Sequence, residues 1–221
     1  PASSKLKSIV IHPGLSYAFD GGNSVVPQGQ KASTALYSSF VGPQSEWNLN
    51  RSSYAELLYQ GVWSGVDAVF KGTKDGLKYQ FELAAGANPA QVALRIGGAQ
   101  SLRVTDDGAL EWNVDGQLFR DGAPVAWQTN GNRKTKVSAR YVTQQIDAST
   151  WRVSFELGTY DKALPLVIDP AWAAAAGLVG GNSNDVVNAV TRDSVNKITW
   201  VCGTTQASGT QQAFVARFGD A

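Results

Sequence analysis

Apolar and polar residues alternate along much of the chain, and this period of two predicts β-strands rather than helices. The clearest case ends the stretch from Leu58 to Leu83, where the apolar residues Leu77, Tyr79, Phe81 and Leu83 alternate with Lys78, Gln80 and Glu82. The first half of the stretch is rich in valine and aromatic residues, and Gly72 and Asp75-Gly76 interrupt it. Because Asp-Gly between apolar runs is a strong hairpin signal, the stretch predicts two strands joined by one turn.

The same alternation continues towards residue 157. Asp-Gly recurs at 107–108, 115–116 and 121–122, and Asn-Gly stands at 130–131, each of them a turn signal. The runs between these turns predict strands near residues 92–96, 101–105, 110–114, 118–119, 124–128, 137–142 and 151–157, followed by an apolar strand at 164–168. Short strands joined by tight turns predict an antiparallel meander within an all-β, sandwich-like domain.

The first 60 residues give a less regular pattern. Strands are predicted at Lys5–His12 and Ser16–Asp20, and a loop at Ser24–Lys31. The region Ser33–Val41 fits a helical turn and a strand equally well. Tyr54, Leu57 and Leu58 recur at helical spacing behind a serine, so Ser53–Tyr59 is predicted as a short helix.

Composition narrows the class of protein. The chain has 221 residues, 43% of them hydrophobic and 17% charged, with a formal net charge of +1. That composition indicates a globular protein without the broad basic surface that nucleic acid or an acidic membrane would require. No apolar run approaches the roughly 20 residues of a membrane span. The basic cluster Asn132–Lys136 is interpreted as a solvated turn.

Cysteine and histidine are nearly absent, and this limits the chemistry. One cysteine, Cys202, and one histidine, His12, exclude an internal disulfide and a zinc site built from these residue types. The chain contains no methionine and begins at Pro1, with abundant small polar residues. We therefore expect an exported bacterial protein, extracellular or at the cell surface, processed from a signal-bearing precursor.

No residue pattern indicates catalysis. There is no Gly-x-Ser-x-Gly elbow, and His12 alone does not anchor a triad. The acidic pairs Glu111 with Asp115 and Glu82 with Asp67 are interpreted as solvated strand faces. We expect no enzyme activity and no cofactor. Asp106, Asp107, Asn182 and Asp185 are weak calcium candidates, since the same side chains also form turns through their own backbone.

Several short motifs carry a family resemblance. They are Tyr59-Gln60-Gly61-Val62, Gly65-Val66-Asp67, Leu77 to Phe81, Gly86-Ala87-Asn88-Pro89, Pro124 with Trp127-Gln128, Gly158 with Tyr160-Asp161, and Leu166 to Pro170. Their order and spacing resemble the N-terminal β-domain of bacterial surface proteins with beta-propeller (SBBP) repeats. The segment from Gly180 to Phe218 is similar to one degenerate repeat, with matching Gly180-Gly181, Asn182, Asp185, Asn188-Ala189-Val190, Asp193, Gly203 and Thr205.

The resemblance implies two parts, an antiparallel β-domain over residues 1–170 and a small propeller-blade-like β-domain over residues 171–221. The first 50 residues carry none of the motifs of this resemblance, and they are a candidate arm or strand-donor region. A single blade leaves both of its faces uncovered, whereas repeat architectures need about three units. Either the chain is a piece of a longer repeat protein, or other copies cover the blade.

The second option predicts a self-assembling extracellular fibre or surface-layer subunit, in which one copy adds a strand to the next. The preferred donor is Lys5–His12, and the runner-up is Ala213–Phe218. The assembly residues are Leu6, Ile9, Val10, Ile11, Phe214, Val215 and Phe218. The alternative is an adhesin or carbohydrate-binding module, because aromatic faces stack on sugars. The candidate glycan contacts are Trp47, Trp63 and Trp127, whereas Trp112 and Trp151 are predicted to lie in the core.

Overall fold

The computed structural model describes residues 8–12, 15–39, 44, 48–73, 76–114, 116–171, 186–193, 198–205 and 212–219. Its strands are β1 (Ser8–His12), β2 (Leu15–Phe19), β3 (Gln28–Ser39), β4 (Asn48–Trp63), β5 (Val66–Thr73), β6 (Gly76–Leu83), β7 (Ala93–Gly97), β8 (Ser101–Val104), β9 (Leu110–Val114), β10 (Gln117–Asn130), β11 (Arg133–Val137), β12 (Ala139–Gln145), β13 (Thr150–Leu157), β14 (Leu166–Ala171), β15 (Val186–Asp193), β16 (Ile198–Thr205) and β17 (Gln212–Gly219). A 3₁₀ turn, Pro89–Gln91, precedes β7 and is capped by the Asn88 side chain.

The strands form two antiparallel sheets. The small sheet has the order β1-β2-β7-β13-β12, and the large sheet the order β17-β16-β15-β4-β5-β6-β14-β10-β9-β8, with β3 also on β4 and β11 also on β10. The predicted all-β, antiparallel, sandwich-like fold is confirmed. Among the described residues, no helix has the length and hydropathy needed to cross a bilayer.

The core lies between the two sheets, and aromatic rings meet across it. Phe81 of β6 and Phe155 of β13 meet across the interface with ring centroids 5.9 Å apart. Tyr17 of β2 contacts Trp112 of β9 in the same way at 6.0 Å. Edge-to-face pairs of this kind contribute about 0.5–1.5 kcal/mol beyond the area they bury. Trp112 is buried as predicted, and Trp151 is half-buried against the core.

The stretch from Leu58 to Leu83 contains three strand segments rather than the two that were predicted. The end of β4 turns at Ser64-Gly65 into β5, and Gly65 takes a φ of 71°. The hairpin of β5 and β6 forms where Asp75-Gly76 predicts it, and Thr73 pairs with Gly76. Gly72 lies inside β5 and does not interrupt it. The additional turn was missed because Ser-Gly is a weaker turn signal than Asp-Gly.

The predicted helix at Ser53–Tyr59 is wrong, because these residues lie within β4. Leu57 and Tyr59 share a buried face, which is the spacing of a strand. β3 and β5 hydrogen-bond to this part of β4 from its two sides, at Gln30 and Lys71 for Glu56. Pairing on both sides outweighs the helical spacing of a few residues, since local propensity is a weak prior.

Asp121-Gly122 was predicted as a turn, and this is wrong as well. Both residues lie within β10, where Asp121 pairs with Leu110 of β9 and Gly122 pairs with Ala171 of β14. The register shifts between Gly122 and Val125, so the Asp-Gly pair marks a bulge in a long strand and not its end. The basic residues from Arg133 are also a strand, β11, although their side chains are exposed as expected.

The N-terminal region is more extended than predicted. The loop predicted at Ser24–Lys31 is partly wrong, because β3 already begins at Gln28. The structure resolves the open choice for residues 33–39 in favour of a strand, and residues 40 and 41 lie outside the described part. The final strands β15, β16 and β17 pair antiparallel in sequence order, and β15 adjoins β4 where Val190 pairs with Tyr54.

Candidate functional site

A small cleft opens at the end of β2, where the small sheet meets β4 of the large sheet. It has a volume of about 250 Å³ and is lined by residues 18–24 and by Arg95 of β7. Trp63, at the end of β4, lies behind this segment and donates a hydrogen bond from Nε1 to the Asp20 carbonyl at 3.1 Å. The cleft is therefore lined by β2, the loop that follows it and β7 of the small sheet, and Trp63 of the large sheet bonds to the backbone of that loop.

Asp20 is the charged centre of the cleft. Its Oδ1 accepts a hydrogen bond from Nη2 of Arg95 at 2.5 Å, and its Oδ2 accepts one from Nε of Arg152 on β13 at 2.9 Å. The Asp20 side chain is only 16% exposed, whereas that of Arg95 is 53% exposed. Two guanidinium groups thus bind one carboxylate, so the three side chains together carry a net charge of +1, and Arg95 is the arginine of the pair that lines the cleft.

The loop that carries Asp20 is held in one conformation by short-range contacts. Gly21 takes a φ of 66°, which glycine adopts at little cost. A Cβ on Gly22 would lie 2.8 Å from Cβ of Phe19, so the loop packs against the strand that precedes it. Asn23 donates from its backbone to the Val62 carbonyl at 2.6 Å and from Nδ2 to the Gly61 carbonyl at 2.9 Å. The cleft is therefore preorganised.

Several polar groups at the cleft are available to a ligand. Within the described part of the chain, the remaining N–H groups of Arg95 bond to no other residue, and the same holds for Oδ1 of Asn23 and the hydroxyl of Ser24. The Phe19 ring at its wall packs edge-on against Trp63, with centroids 5.6 Å apart. The cleft thus combines charged donors, a neutral acceptor and an aromatic ring.

A second polar cluster is buried in the core around Asp121. The Asp121 carboxyl is 2% exposed and accepts a hydrogen bond from the Tyr79 hydroxyl at 2.8 Å. Its Oδ1 has no hydrogen-bond partner among the described residues. Burial raises the pKa of Asp121 to about 7, the hydroxyl groups of Tyr79 and Tyr141 oppose this rise, and the nearby charge of Asp169 adds to it. This carboxyl is enclosed by the core and does not reach the cleft surface.

Comparison with known proteins identifies a family for most of the chain. The profile of the family described as a domain of unknown function, DUF7948, matches residues 2–171. The chain belongs to this family. No curated protein and no solved structure matches it. The DUF7948 match contains both polar clusters and ends at the last residue of β14.

Several of the sequence-motif residues in the DUF7948 region form side-chain hydrogen bonds to the backbone of other motif residues. Oδ1 of Asp67 accepts a hydrogen bond from the Gly61 backbone at 2.7 Å, next to the register shift in β4. Gln128 is buried on β10 and bonds to the backbone of Asp161 in both directions, at 2.6 and 2.8 Å. These residues fix the loops against the sandwich, and they do not converge on the cleft.

The calcium candidates do not come together in the described residues. Asp107 accepts from Arg120 and from Thr105, and Asp106 is exposed beside it. Among the described residues, no three side chains of His, Cys, Asp or Glu are grouped to hold a metal ion. Asn182 and Asp185 lie outside the described part. Asp107 therefore belongs to a surface network in which arginines hold carboxylates.

The tryptophans chosen as glycan contacts have different environments. Trp63 is 4% exposed, so the expectation of a ring open to a sugar is wrong. Its ring is enclosed by Phe19 and Phe81, and it supports the cleft from behind. Trp127 is half-buried, and the Lys134 ammonium lies 3.5 Å above its ring centroid. Trp47 lies outside the described residues.

The assembly residues occupy terminal strands of both sheets. Ile9 of β1 pairs with Tyr17, and Val10 pairs with Ser16, so β1 is paired to its own chain at the end of the small sheet. Val215 of β17 pairs with Cys202 at the end of the large sheet. Phe214 and Phe218 lie on the same strand, and Ile11 lies in β1. Leu6 lies outside the described residues.

Sequence reasoning missed Asp20, Arg95, Arg152 and the role of Asp121. The sequence pattern places Asp20 at the end of a predicted strand, and Gly21-Gly22-Asn23 after it predicts only a loop. Its partners lie 75 and 132 residues away, and strand alternation does not pair such distant residues. The Asp-Gly pattern at 121–122 predicts a surface turn, and so it does not predict that Asp121 is buried.

Proposed function

We propose that the chain is a non-enzymatic, secreted structural protein whose copies assemble into an extracellular fibre or surface layer by inter-subunit strand addition. The resemblance to SBBP-repeat surface proteins supports this proposal, since it assigns the last three strands to a single blade. The observation that carries it is the character of the two terminal strands, β1 and β17.

Terminal strands that must stay unpaired are usually protected by charged residues. β11, at an edge of the large sheet, carries Arg133, Lys134 and Lys136, and all three are exposed. β1 (SIVIH) contains no Lys, Arg, Asp or Glu, and β17 (QAFVARFG) contains only Arg217. Among the described strands, each of these two pairs on one side only. Their outer edges have the composition of strands that accept a partner.

The positions of these two strands support the same mechanism. β1 and β17 belong to different sheets, yet some of their Cα atoms come within 8 Å of each other. An added strand therefore meets two weakly charged edges in one region of the molecule. Strand addition supplies affinity through main-chain hydrogen bonds, and a head-to-tail contact that does not close produces a filament.

The polar groups of the sandwich support a role without catalysis. Hydrogen bonds from Arg103 and Arg120 hold the pKa of Glu111 below its usual range, so this carboxyl stays ionised at neutral pH. Hydrogen bonds from Thr105 and Arg120 likewise hold the pKa of Asp107 below its usual range. Asp121, the carboxyl whose pKa is raised to about 7, is enclosed in the core away from any substrate. Glu111 and Asp107 therefore act in surface ion pairs, and Asp121 acts as a buried hydrogen-bond acceptor for Tyr79.

The proposal is tested by placing a charge in a terminal strand. In sedimentation velocity over a range of concentrations, the wild-type protein should form a growing series of oligomers, and Val10→Lys and Val215→Lys should remain monomeric. Val142→Lys, on the exposed face of β12, is the matched control and should assemble as the wild type does. Assembly of all three variants to the wild-type extent would reject strand addition through β1 and β17.

A second function, binding of a glycan, is favoured by the cleft at Asp20. This function is compatible with assembly, because the cleft lies at the end of β2 and includes no residue of β1 or β17. A fibre subunit with such a cleft would display it in every copy.

A further inference from the structure

The cleft at Asp20 is shaped and charged for a particular class of ligand. Asp20 pairs with both Arg95 and Arg152, so the cluster of three side chains retains one positive charge, and Arg95 presents its guanidinium to the cleft. An anionic group is therefore favoured over a cation or a neutral group. The planar guanidinium of Arg95 uses Nη2 for Asp20, and its remaining N–H groups are directed to no other described residue. A guanidinium fork of this kind suits a carboxylate.

The neutral groups of the cleft favour a ligand that carries hydrogen-bond donors in addition to a negative charge. Oδ1 of Asn23 accepts hydrogen bonds and is fixed in place by the Nδ2 bond to Gly61. A ligand that satisfies it must donate, as a sugar hydroxyl does and a carboxylate does not. Ser24 at the lining both donates and accepts. The volume of about 250 Å³ is below the roughly 300–1,000 Å³ of drug-sized pockets, so it fits a single ring.

We propose that the Asp20 cleft binds one acidic sugar residue, with Arg95 pairing the sugar carboxylate and Asn23 and Ser24 bonding its hydroxyl groups. The loop 20–24 is already held by its bonds to β4, so binding requires little ordering of the protein. The cleft has room for one sugar ring. The affinity of one cleft for one isolated sugar residue is accordingly weak. Copies arrayed in an assembly would bind an acidic polysaccharide through many such contacts.

The test is titration calorimetry of the dispersed full chain with glucuronate, glucose, acetate and inorganic phosphate as separate probes. Glucuronate should bind at least tenfold more tightly than each of the other three. Arg95→Gln should lower the affinity for glucuronate at least tenfold. Arg140→Gln removes another exposed arginine that pairs with a glutamate, Glu156, and should leave the affinity unchanged.

Arg95→Gln also removes a partner of Asp20, so a second variant separates binding from folding. Ser24→Asp places a negative charge in the cleft while both arginine contacts of Asp20 remain, and it should weaken glucuronate binding by a similar factor. Circular dichroism shows whether each variant is folded. Glucuronate affinity equal to that of glucose, or wild-type affinity in both cleft variants, would overturn the site. Equal affinity for acetate or phosphate would overturn the sugar assignment.

Discussion

The hydroxyl of Tyr79 lies 2.8 Å from Oδ2 of Asp121, and both side chains are buried in the core. Tyr141 closes the same cluster and donates to the Gly122 carbonyl at 3.0 Å. Asp121 therefore occupies a position that accepts a carboxylic acid more readily than a carboxylate, because one of its oxygens has no partner among the described residues. A titratable group of this kind makes stability depend on pH.

We predict that the contribution of Asp121 to the free energy of unfolding decreases as the pH rises from about 4 to about 7. The pKa of Asp121 is about 7 in the folded protein against an ordinary value of 3.8, so the unfolded chain releases its proton first. The folded state then binds more protons than the unfolded state, and raising the pH favours unfolding. The decrease should amount to at most about 4 kcal/mol and should level off above about pH 7.

Urea unfolding between pH 4.5 and 8 measures this dependence, with Asp121→Asn as the comparison. The groups that face Asp121 do not reverse the sign, because burial raises the pKa values of Tyr17, Tyr79 and Tyr141 well above 10. Burial also raises the pKa of Asp169, which acts in the same direction. Asp121→Asn should show a much flatter profile. Parallel profiles for the two proteins would contradict the account.

Tyr79→Phe should destabilise the protein more at pH 8 than at pH 5. The hydrogen bond from Tyr79 goes to an ionised group at pH 8, where its loss costs about 1.5–3 kcal/mol, and to a neutral acid at pH 5, where the cost is about 1 kcal/mol. Denaturant titration at the two pH values checks this difference. Tyr160→Phe, at a half-buried position on the surface of the core, is the matched control and should change stability by less than about 0.5 kcal/mol at both.

Phe81→Ala should cost about 3–5 kcal/mol of stability. The Phe81 ring is completely buried and contacts Trp63, Tyr79 and Phe155, so its removal leaves a cavity between the two sheets. Leu118→Ala removes an apolar side chain that is 55% exposed, and it should have little effect. Thermal unfolding of the two variants compares them. A small loss for Phe81→Ala would show that the sheets do not pack through this residue.

Gln128→Ala should cost about 1–3 kcal/mol, because it leaves the Asp161 backbone without its buried partner. The effect should be local to the loop before β14, so amide hydrogen exchange at Asp161 should accelerate while that of β6 should not. Gln145→Ala, at an exposed position of β12, is the control. Unchanged exchange at Asp161 in the Gln128 variant would show that the side chain does not hold the loop.

Local signals predicted much of this fold from sequence. Residues 77–83 and 110–114 alternate strictly, and the structure places them in β6 and β9. The apolar residues whose side chains are described are buried, namely Tyr79, Phe81, Leu83, Leu110, Trp112 and Val114. The predictions are wrong where pairing with residues distant in the sequence determines the local structure. Ser53–Tyr59 has helical spacing but becomes a strand because β3 and β5 pair with it. Asp121-Gly122 has the residue types of a turn but lies within β10, where the pair precedes a β-bulge between Gly122 and Val125.

The candidate site was less accessible to sequence reasoning than the fold. Asp20 and Arg152 are 132 residues apart, and only the pairing of β2, β7 and β13 brings them together. Trp63 is predicted as a sugar contact because aromatic rings stack on sugars. The residue type alone does not show whether the ring is buried, and in the structure it is. Trp63 instead donates a hydrogen bond to the Asp20 carbonyl from the end of β4, directly after the register shift between Tyr59 and Trp63.

The central claim is that copies of this chain join through strand addition at β1 and β17. Negative-stain electron microscopy of the purified full chain at increasing concentration tests it most directly. We expect filaments or ordered arrays with a regular subunit repeat, which disappear when Val215→Lys protein is imaged under the same conditions. Separate particles of the size of one chain at every concentration would contradict the claim.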